Sequence, residues 1–311
     1  MKEAQTGFRK ISDLVEGEAR GLREAGKDLL ATYAILSHLK IHSLKPNGRD
    51  FILRYVAKSI FEQRRRSAII DARHILGEYE NHILGNENIP EFGPIIFTAN
   101  HWGQGPLIGH WASLLINEQA SQKREDGQEV YWIKQNSLHI PGTNVEVPFS
   151  RQANKVISKV YPIILVEDPF DRAGKNGNAK ITGLLEIFRV IKSGGMIGLY
   201  PEAIVSTVLR KGHPKAGFIA QGLARRRPDA MICPVGEWTT RKGSVLHLNI
   251  GVPFTAAEVL EVAEVVEKTE RDQVVADYLM DKIKPLVPES LRGVSEEYSL
   301  VKNNGSGVWG S

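Results

Sequence analysis

From Gly93 onward, short apolar runs bounded by turn residues alternate with stretches of helical periodicity, and that alternation leaves few architectures open. Ile95 to Phe97 is apolar at every position between turn residues, the pattern of a strand buried on both faces. The segments 130–133, 163–166, 196–200, 231–235 and 245–250 read the same way. Helical spacing falls between them over 107–118, 181–192, 214–225 and twice within 255–286. This predicts an α/β fold with a mostly parallel central sheet flanked by helices. Ahead of it, residues 1–88 read as an N-terminal helical segment without a strand. Leu29, Leu30, Tyr33, Leu36 and Leu39 give one apolar face, Lys45 to Gly48 reads as a break, and a second helix starts at Asp50. Amphipathic faces beside a basic run such as Arg64–Arg66 can lie on anionic membranes. Amphipathicity is also the default for a surface helix, which favours packing on the α/β domain with the arginines solvated. The α/β domain spans 89–298, and the small, polar residues 299–311 read as a disordered tail.

Charge and cysteine usage remove several classes. One cysteine, Cys233, excludes an intrachain disulfide and fits a reducing compartment. No apolar run approaches the roughly 20 residues that span a bilayer, and the N-terminus lacks a signal-peptide core. The expected location is cytoplasmic, with peripheral contact on the inner membrane face. A net charge of +4 favours anionic partners without choosing among them. His74 and His82 are eight residues apart, not four, and no cysteine–histidine–carboxylate motif occurs, so no metal site is expected. Gly174 to Gly177 lacks the spacing of a phosphate loop. Arg64–Arg66 and Arg225–Arg227 read as helix-end charges and not as a nucleic-acid footprint.

Asn100 and His101 follow the first strand of the α/β domain, and Gly103 and Gly105 let the backbone turn there. The carboxyl edge of an α/β sheet is where such sheets bind ligands. A histidine there is either a base or a satisfied strand-end residue.

Four segments then fall in a telling order: Asn100-His101, Phe170-Asp171-Arg172, Tyr200-Pro201-Glu202 with Arg210-Lys211-Gly212, and Cys233-Pro234-Val235. Together with the closing run 283–293, they resemble the glycerolipid (lysophosphatidate-type) acyltransferases over about residues 93–295. The resemblance implies transfer of a fatty acyl group from acyl-CoA or acyl carrier protein to a hydroxyl of a lysophospholipid or other lipid-like acceptor, with no bound cofactor. It implies His101 as general base, with Asn100 and Glu202 in the catalytic group. Gly103, Gln104, Asp171, Arg172, Pro201, Arg210, Lys211 and Gly212 would line the acceptor site. Backbone N–H groups after the histidine, or at the next helix start, would hold the oxyanion.

This chain departs from the family pattern at two points. The family carries Asp or Glu after the histidine and four intervening residues, and here that position is Pro106. The block after Glu202 reads Ala203, Ile204, Val205 where the family has Gly, Thr, Arg, which removes a bidentate phosphate ligand. Arg172, Lys175, Arg210 or Lys211 would have to compensate. Glu202 or Glu167 could replace the carboxylate, Asn100 or Gln104 could orient the ring without charge, or His101 could act alone. The alternative is a non-catalytic relative that binds lipid or acyl chains.

Overall fold

Strand β2 (Ile95–Ala99) lies inside the sheet with all five residues buried, so its unbroken apolar run matches its position. The computed structural model describes residues 44–62, 64–103, 109–137, 150–166, 177–240 and 245–293. The other strands are β1 (Glu80–Leu84), β3 (Val130–Gln135), β4 (Ile163–Val166), β5 (Met196–Leu199), β6 (Met231–Thr240), β7 (Val245–Ile250) and β8 (Phe254–Thr255). Their order is β1-β7-β6-β2-β5-β3-β4, with β8 paired to β6. Strands β2 to β6 run parallel, β7 runs antiparallel to β6, and β1 is parallel to β7. The sheet is therefore mostly parallel, as the alternation predicted. Pro234 sits mid-strand because β6 changes partner there. On one side β8 pairs Met231 and Ile232, while β7 begins at Val235.

Helices cover both faces. One face carries α1 (Pro46–Phe51), a π-helical turn (Ile52–Val56), α2 (Ala57–Glu62), α3 (Ala68–Leu76), α4 (Gly109–Lys123) and α5 (Ser150–Val160). Ile52, Ile75, Leu115 and Val156 from these helices meet Ile95 and Phe97 in one core. The other face carries α6 (Gly177–Lys192), α7 (Pro214–Ala224), α8 (Ala256–Glu264) and α9 (Arg271–Ile283), whose Ile187, Leu223, Val259 and Leu279 meet Ile96. Alternate residues of one strand thus feed two cores. Each fully buried aliphatic side chain contributes about 1.5–3 kcal/mol.

Residues 80–84 correct the reading of 1–88 as helical throughout. Among the described residues, strand β1 is an edge strand paired only to β7, and its exposure alternates between exposed and half-buried, so it has no apolar run to reveal it. Lys45 to Gly48 is not a break either. Pro46 occupies the first turn of α1, where a missing N–H costs nothing. The arginine run is structural more than solvated: Arg66 grips the buried Asp71 through Nε (2.7 Å) and Nη2 (2.6 Å), and Arg65 Nη1 donates to Tyr161 O. Residues 1–43 and 299–311 lie outside the described residues.

Candidate active site

Strand β6 is longer than β2, and the turn at the carboxyl end of β2 docks against the excess. Asn100 Nδ2 donates to Glu237 O (2.9 Å) and Asn100 Oδ1 accepts from Glu237 N (2.7 Å). Trp102 N donates to Glu237 Oε1 (3.1 Å), and Trp102 Nε1 to Thr239 Oγ1 (3.0 Å). The segment after β5 holds the turn from the other side. Ser206 N donates to His101 O (2.8 Å) and Gly103 N donates to Ser206 O (3.0 Å). A Cβ on Gly103 would lie 2.0 Å from Val205 Cγ1, so glycine lets the two loops close.

The imidazole of His101 stacks on Tyr200, with centroids 4.3 Å apart and planes at 21°, and Tyr200 stacks in turn on Trp132 at 4.8 Å. The hydroxyl of Tyr200 bonds Ser113 on α4. Tyr200, just after β5 and itself backed by Trp132 of β3, therefore fixes the plane of the imidazole.

Glu202 spans the turn. Its Oε2 accepts from His101 N (2.7 Å) and its Oε1 from Arg210 N (2.6 Å), with 1% of the residue exposed. It reaches the backbone of His101, so it positions the histidine by that route. Burial raises its pKa to about 7, while the two N–H bonds and the Arg210 charge pull the other way. Glu237 is fully buried, and its Oε2 has no hydrogen-bond partner among the described residues. Burial, and then the Glu202 charge, raise its pKa well above the carboxylate range. Glu202, with more donors, ionises first, and Glu237 stays neutral.

These raised values set a sign for stability. As pH rises from about 4.5 through about 7, the unfolded chain releases the Glu202 proton while the folded chain keeps it. Native stability falls across that window, and Glu237 extends the fall upward. Glu237→Gln keeps the shape and the Oε1 acceptor but cannot ionise. Its Tm relative to the parent should be higher at pH 8 than at pH 5 in thermal scans. An offset independent of pH would contradict a neutral Glu237.

Ala203, at the position the resembled family fills with glycine, has φ of 57°. That is the left-handed region, which a residue with a Cβ disfavours. Ala203→Gly should stabilise the fold by up to about 1 kcal/mol, the relief of strain exceeding the added chain entropy. Chemical denaturation measures this, and a destabilised variant would contradict it.

The remaining expected site residues divide sharply. Pro201 O accepts from His213 N (2.7 Å), fixing the start of α7. Arg210 is exposed and its Nε donates to Ser206 Oγ (3.0 Å). Lys211 pairs with Asp277 on α9 at 3.7 Å. Gly212 packs on α9, where a Cβ would lie 2.4 Å from the Ala276 carbonyl carbon and oxygen. Gln104, Pro106, Glu167, Asp171, Arg172 and Lys175 lie outside the described residues.

Two residues missed in the sequence belong to this edge of the sheet. Glu237 had one signal, a lone acid in the apolar run of β6. Lys134 on β3 shares its sheet face with Trp132, two residues away. Burial lowers the Lys134 pKa to about 8, and no carboxylate pairs with it among the described residues. The N–H groups of His101, Trp102 and Gly103 all donate to protein acceptors, so these three do not form the expected oxyanion hole. A separate open cleft of about 650 Å³, lined by Arg65, Gln128, Tyr131 and Gly195, lies at the opposite edge of the sheet.

No family model matches the chain, and no curated protein matches it. Among solved structures, the 1-acyl-sn-glycerophosphate (LPA) acyltransferase of Thermotoga maritima aligns at 16% identity with a TM-score of 0.40. The alignment covers 83% of this chain and 95% of that one. A likeness of that depth carries no argument about activity. Among the described residues no helix is long and apolar enough to cross a membrane.

Proposed function

We propose that this protein is an O-acyltransferase that moves a fatty acyl group from acyl-CoA or acyl carrier protein to a hydroxyl of a lysophospholipid or other lipid-like acceptor. The observation that carries the proposal is the imidazole of His101, stacked on Tyr200 at the carboxyl edge of the sheet with its backbone N–H held by buried Glu202. In this reading the acceptor hydroxyl attacks the thioester carbonyl while His101 takes its proton. The tetrahedral intermediate then collapses, the C–S bond breaks, and the imidazolium returns the proton to the departing thiolate. Products are an ester and a free thiol.

Glu202, Glu237 and Asn100 act as positioning residues, since their bonds fix the backbone on either side of the imidazole. Lys134 supplies positive charge on the Trp132 face, for the intermediate's oxyanion or for an anionic part of a substrate. The resemblance adds Gln104, Asp171 and Arg172 to the acceptor-site residues. The protein works at the inner face of a membrane, where its acceptor resides.

One observation favours the non-catalytic alternative: the three backbone donors nearest the imidazole are all occupied by protein acceptors. Purified full-length chain, given a long-chain acyl thioester and a panel of lysolipids and glycolipids, tests the choice. Mass-detected ester and stoichiometric thiol support transfer. Acyl ligand retained without either product supports the binding protein.

A further inference from the structure

Apolar side chains exposed singly need no explanation, but Ile204, Val205 and Val208 stand within one short loop, exposed by 44%, 45% and 39%. Phe218, on the second turn of the adjoining α7, is 48% exposed. The loop cannot fold these groups away, because its backbone is pinned along its length. Ala203 N donates to Tyr200 O, Ser206 bridges to His101 and Gly103, Leu209 N donates to Leu291 O, and Arg210 N donates to Glu202. A flexible loop would hide such residues; this one holds them in water.

Charge along the loop's own stretch of chain has one sign. Between Glu202 and Asp229 the chain has no acidic residue, and it carries Arg210, Lys211, Lys215 and Arg225 to Arg227. Among the described residues, the acids bonded to this stretch are Glu202, buried beneath Arg210, Asp277, which takes Lys211, Asp272, which takes Gln221, and Asp229, which takes Arg227. Arg210 and Lys215 are exposed. Aliphatic groups held outward beside exposed cations suit the boundary of an anionic bilayer, where the first enter the acyl region and the second meet phosphates. An acidic carrier protein would use the cations but give the aliphatic tip no hydrocarbon to enter.

We infer that the 203–211 loop, with Phe218, is the surface by which this protein sits on an anionic lipid bilayer. This rests on the acyl-transfer reading only for its purpose. Since the loop is hydrogen-bonded to His101 and Gly103, docking there would set the imidazole at the membrane boundary, within reach of an acceptor still anchored in it.

The test uses the full chain and vesicles of phosphatidylcholine with or without phosphatidylglycerol. An Ile204→Asp, Val208→Asp double variant should lower partitioning onto phosphatidylglycerol vesicles by about tenfold or more, with Tm unchanged. Ile204→Cys with an environment-sensitive label gives a second readout, since Cys233 is buried and the label goes to the new thiol alone. Its emission should shift blue on anionic vesicles and stay in place on phosphatidylcholine. Equal binding by the double variant together with an unshifted label would overturn the inference. So would a shift produced by acidic acyl carrier protein and not by vesicles. Insertion of the label in a protein that makes no ester would uphold this inference while the acyl-transfer reading falls.

Discussion

Replacing His101 by Ala should lower kcat for ester formation by about 10²–10⁴, the usual contribution of a positioned general base. Tm should stay close to that of the parent. The fold around the histidine depends on its backbone, with N–H on Glu202 and C=O on Ser206, and on Asn100 and Trp102 against β6. Alanine keeps all of these bonds and removes the ring that stacks on Tyr200. The loss should therefore appear in kcat and spare acyl-ligand affinity. Steady-state kinetics with a titrated acyl thioester, run beside thermal scans, separates the two. A variant that keeps its turnover would remove His101 from the chemistry.

Asp71→Ala should cost about 3–5 kcal/mol, the largest stability loss expected of any single substitution described above. Asp71 is fully buried and receives both a two-point grip from Arg66 and the hydroxyl of Tyr161 at 2.5 Å. Arg66 also donates to Ser59 Oγ (3.1 Å), so one cluster joins α2, the start of α3 and the residue after α5. Removing the carboxylate leaves a guanidinium with 18% side-chain exposure and a buried phenol, both short of their acceptor. In the native protein burial and the Asp71 charge push the Tyr161 pKa well above its ordinary value, so the phenol donates to the carboxylate as a neutral group. Denaturant unfolding measures the cost, and thermal scans should show a Tm drop of roughly 6–10 °C. A loss under about 1 kcal/mol would mean that the cluster only solvates itself.

The central strands were readable because both of their faces are buried, so Ile95, Ile96 and Phe97 leave an unbroken apolar signature. Strand β1 left none, since an edge strand with one neighbour keeps Glu80 and His82 in water. Helix α5 was legible by contrast: Ala153, Val156, Ile157 and Val160 fall at i, i+3, i+4 and i+7, a complete apolar face that the reading of the alternation passed over. For the site, the chain order placed His101, Pro201 and Glu202 at the carboxyl edge. What each touches depends on register between strands distant in sequence. Nothing local says that β6 outruns β2 and brings Glu237 under Trp102, or that Tyr200 lies between His101 and Trp132. Nor does the local sequence announce the left-handed backbone of Ala203.

The most direct measurement of the central claim is imidazole rescue of His101→Ala, read by mass detection of the acyl ester formed from thioester and lipid acceptor. The parent should make ester, the variant should make almost none, and free imidazole should restore part of it to the variant alone. Ester formed equally by both proteins, or acyl ligand bound by both without any ester, would contradict His101 as the base.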